Sequence, residues 1–381
     1  MVGVIKMDEV KVENTALPKK SRFLNYINVF RGLAILLIIM GHTMQIGEKT
    51  SLVHYINTEI VCGGTALFIF ISGFLFQHLS AKFEYKNYLT KKWTNVIMPY
   101  LITAIPGLIF CFYLPIQYKN SFDGLNFIIQ IPLLLSVGRV HNVPTWFIPM
   151  IVIFFIFSWV FLKLEKKNIL YKLLPILFLI TIIVPRGTAE YEDTIGLSYI
   201  AKYWVFVKYI LLGFIHFLAL YVFGMYCSAN KHIIDKFYDN RFILWALMIL
   251  LSALDIFSMY KFGYSNYTIS KTFLTMLVLA YLKHYDDFIL SHKKTNKVLD
   301  FIAKYSFGIF FVHWYWFFVY DQVFNIKGVI PSDGSSLSVV LTAVIIRFIA
   351  VALMSILSLF AVKFILLKIN KDINTRQFIG I

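Results

Sequence analysis

Arg31 and His42 are the residues whose types and spacing call for a chemical explanation. Both sit inside an apolar run, residues 24–44, that is long enough to cross a bilayer. A charged side chain at the centre of a membrane helix costs about 2.5–3.5 kcal/mol, so one found there is first considered as part of a site. Eleven residues of α-helix leave Arg31 and His42 about 20° apart around the axis and roughly 16.5 Å apart along it. One helix face then carries a permanent cation at one depth and a titratable base three turns away. A guanidinium matches phosphate oxygens bidentately, and a neutral imidazole can take a proton from a hydroxyl. The same two residues also suit a plain structural role, snorkelling toward opposite surfaces. Gly32 and Ala34 are small enough to let a ligand or a neighbouring helix come close.

The elements that must hold this pair are membrane helices. The chain is 59% hydrophobic and 18% aromatic, with a mean hydropathy of +0.73, far above the roughly 45–50% apolar content of soluble domains. Apolar windows fall at 24–44, 60–79, 94–115, 145–162, 170–184, 204–226, 242–260, 267–282, 300–325 and 337–367. The expected fold is therefore all-α, a polytopic integral membrane protein of about ten transmembrane helices. The stretch 125–137, a dozen residues with Pro132, reads as re-entrant or interfacial. Ten spans place both termini on one side together with 24 of the 36 lysines and arginines. The positive-inside rule makes that side cytoplasmic and the location the cell membrane. The net charge of +16 is thus topological and does not indicate a nucleic-acid partner. Residues 1–22 read as a disordered cytoplasmic tail, 23–368 as the membrane domain and 369–381 as a second cytoplasmic tail. Cys62, Cys111 and Cys227 show no disulfide or zinc spacing, and no metal site is expected.

Arg31, Lys271, Lys304 and Arg347 are the basic residues inside spans, and Asp255 is the clearest acid there. An unpaired buried charge is costly, so Arg347 is expected to pair with Asp255. His313 lies beyond the midpoint of an outward-running span, with Ser306 seven residues earlier on its face. Beside Trp314, Tyr315 and Trp316, His313 also fits an interfacial aromatic belt. Ser72-Gly73 makes a small notch that serves helix packing or a ligand. Lys91 and Lys92 fit phosphate binding or simple topology. Trp146 fits a sugar-stacking surface or a membrane anchor.

Arg31-Gly32 and His42, followed by Leu67–Phe76 with Ser72-Gly73, Lys91-Lys92-Trp93 through Met98-Pro99-Tyr100, and Tyr305–His313, together resemble the membrane acyltransferase-3 family. Pro144-Thr145-Trp146-Phe147 is similar to the branch containing the enterobacterial common antigen O-acetyltransferase. The resemblance covers spans one to four and nine; the middle of the chain matches by hydropathy. It implies transfer of an acyl group, acetyl or alternatively succinyl, from cytoplasmic acyl-CoA to a hydroxyl of an envelope polysaccharide or its lipid-linked precursor. Acetyl-CoA would be a donor substrate, with no tightly bound cofactor. The resemblance further implies His42 as base and Arg31 as donor-positioning cation. His313 joins them as a catalytic candidate, Lys91 and Lys92 as donor-binding residues, and Ser72, Trp146 and Ser306 as substrate contacts. Asn28 stands where many members have an aspartate, lysines replace an arginine-rich cluster before the third span, and Phe147-Ile148-Pro149-Met150 replaces an acidic segment. Two rivals come from other classes. One is a glycan or anion transporter with Arg31 as counter-charge and His42 as proton relay, against which the lack of an inverted repeat counts. The other is a membrane assembly protein in which both residues are structural.

Overall fold

The run carrying Arg31 and His42 is one helix, α1 (Asn25–Thr43). In hydrocarbon every backbone N–H needs an internal acceptor, and a continuous helix provides it. The computed structural model describes residues 24–113, 120–140, 145–184, 186–187, 191–326, 329–330 and 335–381. The expected tail 1–22 lies outside the described residues, as does Pro144. After α1 come α2 (Leu52–Val61), α3 (Gly64–His78), α4 (Tyr85–Lys92), α5 (Met98–Thr103), α6 (Ile105–Tyr113) and α7 (Phe127–Val137). The middle of the chain forms α8 (Phe147–Ile156), α9 (Ser158–Lys166), α10 (Leu174–Ile183), α11 (Tyr199–Ala229), α12 (His232–Asp239) and α13 (Arg241–Phe262). The last third forms α14 (Thr268–His284), α15 (Asp286–Ser291), α16 (Lys293–Val323), α17 (Leu337–Ile369) and α18 (Thr375–Ile379). The described residues contain no strand.

Six helical stretches among the described residues are long and apolar enough to cross a membrane: Asn25–Thr43, Leu52–His78, Tyr85–Phe112, Tyr199–Ala229, Arg241–Phe262 and Leu337–Ile369. A seventh joins them if α8 and α9, bent by 44°, form one span. The remaining apolar windows are helical but differ physically. The helical stretch Leu170–Ile183 is short, α14 has 17 residues, and the 31-residue α16 is interrupted by His313 and its Tyr and Trp neighbours. α7, with Pro132 inside it, is too short to span.

α1 lies inside the bundle, packed on α3, α14, α16 and α17. Its Gly32 lets α16 approach, because a Cβ there would already touch the backbone of Leu299 and Ala303. The tightest seam joins α3 to α11. A Cβ on Gly73 would stand 2.0 Å from the Tyr221 carbonyl oxygen, and one on Gly224 2.1 Å from that of Phe70. Two backbones can meet so closely only across residues without side chains. Ser72-Gly73 thus divides its work: the glycine serves packing and the serine faces the site described below. α13 and α17 instead turn rows of Ile, Leu and Phe outward, as lipid-facing helices do.

Buried charges are paired, though not as expected. Arg347 is fully buried and donates to both carboxylate oxygens of Asp321, not to Asp255. Asp255 accepts from the Ser265 hydroxyl and the Asn266 backbone N–H, closing the α13–α14 turn. The end of α16 brings Asp321 to α17, whereas Asp255 sits on a helix turned largely to lipid. Lys271 is buried against Glu59, whose carboxylate also accepts from Ser252 and Ser270. Lys304 is exposed.

Between α4 and α5 the helix widens into a π-turn, Trp93–Ile97. Pro99 offers no N–H to the preceding turn, and a widened turn accommodates the missing bond. This bulge points Asn95 and Val96 at the cavity that receives Lys91 and Lys92.

Candidate active site

The site has two ends, joined by α1. At the first, Arg31 donates through Nε to the Ala303 carbonyl at 3.0 Å and through Nη2 to the Asn28 side-chain oxygen at 3.0 Å. The Asn28 amide in turn donates to Asp300 at 2.8 Å. Asn28 stands where an aspartate is common, and the structure supplies the negative charge one step further back, from α16. The guanidinium is thereby aimed with a neutral group as its direct neighbour.

Arg31 opens on a cavity of about 440 Å³. Lys82, Lys91, Lys92 and Arg376 share its wall, against the single carboxylate of Glu84. Lys92 is held over the rings of Tyr88 and Phe155, its Nζ 5.2 and 4.6 Å from their centroids. Ser72 and Ser306 line the same space, each donating to its own helix, at Phe68 and Ala303. The deeper wall is apolar, formed by Phe68, Ile71, Phe147, Ile151 and Phe155. A cavity lined by both cations and apolar side chains suits a ligand with phosphates at one end and an uncharged arm at the other.

At the second end the His42 and His313 rings lie 5.4 Å apart between centroids, and Trp314 meets His42 edge-on at 4.9 Å. His313 is fully buried. Its Nδ1 stands 3.0 Å from the Ile309 carbonyl, which can only accept, so Nδ1 carries the proton. That leaves Nε2 as a bare acceptor, and it has no hydrogen-bond partner among the described residues. α16 therefore positions His313 beside His42, not in an outer aromatic belt.

Among the described residues, the lining of the Arg31 cavity does not reach the two imidazoles. Phe147, on the cavity wall, stacks edge-on against Phe310 at 5.4 Å, and Phe310 lies 6.3 Å from His313. His42 and His313 are absent from the cavity lining. Trp146 belongs to neither centre directly. The Arg186 guanidinium lies 5.4 Å over its ring, 5.4 Å over Tyr267 and 5.8 Å over Phe217. Arg186 also contacts the Tyr267 hydroxyl.

Of the residues singled out by sequence, the fold gathers Arg31, Ser72, Lys91, Lys92 and Ser306 at one cavity, and His42 with His313 at the other end. Sequence reasoning misses Arg376, Lys82 and Arg186, which appear there only as charges between or beyond spans. The acyltransferase-3 family profile, described as an acyltransferase domain, matches residues 24–362. The chain belongs to the acyltransferase-3 family. No curated protein and no solved structure matches it. The family domain covers both ends of the site and all of α1, α3, α11 and α16, so the features above belong to a membrane acyltransferase. Arg376 alone among the cavity's cations lies beyond the matched region.

Proposed function

We propose that this acyltransferase transfers an acetyl group from acetyl-CoA to a hydroxyl of an envelope polysaccharide or its lipid-linked precursor, as in the polysaccharide O-acetyltransferase branch of the family. About ten spans would carry it across the cell membrane, with both termini and the basic cavity on the cytoplasmic side. The observation that supports this reading is the pairing of a cation-rich cavity at Arg31 with two adjacent imidazoles roughly 16.5 Å further along the same helix.

In this reading Arg31, Lys91 and Lys92 hold the donor's phosphates, and the pantetheine arm runs along the apolar floor past Ser72 and Ser306. The acceptor enters from the opposite side, with Trp146 offering an aromatic face to a sugar ring. His42, next to the bare Nε2 of His313, takes the proton of the sugar hydroxyl as its oxygen attacks the thioester carbonyl. The tetrahedral intermediate collapses, the C–S bond breaks, and the imidazolium returns the proton to the departing thiolate. Products are the O-acyl ester and free CoA. Apolar walls keep water from competing for the thioester.

Purified protein in lipid nanodiscs, given acetyl-CoA and an extracted glycan acceptor, should release free thiol in step with a glycan mass gain of one acetyl group. A gain of one succinyl group from succinyl-CoA, with none from acetyl-CoA, would replace the donor. Absence of acyl gain with either donor would overturn the reading.

A further inference from the structure

The segment after α17 is the feature that the mechanism leaves unused. It does not trail away from the bundle. Asn374 caps the backbone N–H of Arg376 at 3.2 Å, and the Thr375 hydroxyl donates to the Ile381 carbonyl at 2.6 Å. Thr375, Ile379, Gly380 and Ile381 are buried. α18 packs on α5, on the π-turn and on α17. It sits so close to α16 that a Cβ on Gly308 would lie 2.7 Å from the Ile379 carbonyl oxygen. This backbone is fixed, yet its arginine is not used to fix it. Arg376 is exposed, lines the Arg31 cavity, and among the described residues its guanidinium makes no hydrogen bond or ion pair.

Arg376 shares the cavity wall with like charges, Arg31, Lys82, Lys91 and Lys92. Among the described residues, Glu84 is the only carboxylate on the cavity wall, against five cations. Cations held around one cavity are stabilised by a polyanion that enters it, and two guanidiniums together with ammonium groups suit several phosphate oxygens at once. Resting on the acyl-CoA reading above, we propose that Arg376 is a phosphate ligand of the donor site, and that the docked segment 375–381 delivers it to the cavity that Arg31 lines. A CoA-type donor would then be gripped from two helices, α1 and α18, at the ends of the chain.

The test is equilibrium binding of CoA, and of phosphate-free S-acetylpantetheine at high concentration, to the full chain in neutral-lipid nanodiscs. Unmodified protein is compared with Arg376→Gln and Arg376→Lys. Arg376→Gln should weaken CoA binding at least about tenfold, the scale of one charge-assisted hydrogen bond. Arg376→Lys should fall between, S-acetylpantetheine binding should be unchanged, and the thermal midpoint should hold because the side chain is exposed. Equal CoA affinity in Arg376→Gln and unmodified protein would overturn the assignment while leaving the acyl-CoA reading intact. So would a parallel loss of CoA and S-acetylpantetheine with a lowered midpoint, which would mark a structural role. In parallel nanodiscs that contain anionic lipid, a loss of bound anionic lipid in Arg376→Gln with CoA affinity unchanged would assign Arg376 to a lipid headgroup and also overturn it. If the unmodified chain binds no CoA, the acyl-CoA reading falls and this one with it.

Discussion

His42 and His313 form the sharpest contrast between a residue read alone and a residue read in place. In sequence, His313 among Trp and Tyr is equally a belt residue; in the fold it is buried, protonated on Nδ1 and aims a bare Nε2 into the bundle. General-base catalysis contributes about 10²–10⁴-fold. His42→Gln should therefore lower acyl transfer by at least about 10²-fold while leaving insertion and CoA binding near normal, measured as product per folded enzyme. Arg31→Lys keeps a charge but loses the planar fork that spans the Ala303 carbonyl and Asn28. It should raise the KM for acyl-CoA with a smaller effect on kcat. Unchanged KM with loss of folded protein would make Arg31 a packing residue. The Arg31–His42 relation is legible in the sequence because helical periodicity turns an interval of eleven into a shared face. Arg186 and Arg376 are not legible, because only the tertiary return of the chain brings them to the site.

Helix packing explains which parts of the site are rigid. The α3–α11 seam carries Ser72 on one helix and Tyr221 on the other, and both line the cavity. Gly224→Ala would push a methyl group to 2.1 Å from the Phe70 carbonyl oxygen, which neither backbone can yield without moving the helix. Overpacking of this kind costs about 1–3 kcal/mol. The variant should show a lowered thermal midpoint together with weaker CoA binding, whereas substitutions at lipid-facing Leu254 should change neither. Arg347 and Asp321 test the other kind of joint. Arg347→Leu removes the guanidinium that pairs with the buried Asp321 carboxylate and should destabilise by about 3–5 kcal/mol, and adding Asp321→Leu should recover part of that loss. The need for a partner to Arg347 is legible in sequence; its identity is not. Asp255 and Asp321 both occupy apolar windows, and only the crossing of α16 with α17 selects between them.

For the molecule as a whole, hydropathy points to an all-helical membrane protein at once, and each of the ten apolar windows overlaps helix among the described residues. Which of them cross the bilayer is less legible: a bent pair and an aromatic, histidine-bearing α16 do not resemble lipid-facing spans. The distribution of lysine and arginine makes a definite expectation. A reporter following the chain's last residue should be cytoplasmic and one inserted near Glu192 external, and the opposite result would put the basic cavity on the wrong side for CoA. The partition made by Phe147 and Phe310 has a consequence for the membrane itself. A protein with a cationic, water-accessible recess on one side and titratable imidazoles toward the other is halfway to being a proton channel. The edge-on rings of Phe147 and Phe310, which offer a proton no hydrogen-bond partner, lie between the recess and His313 and would hinder a chain of waters along that line. Proteoliposomes carrying Phe310→Ala should dissipate an imposed pH gradient faster than those with the unmodified enzyme.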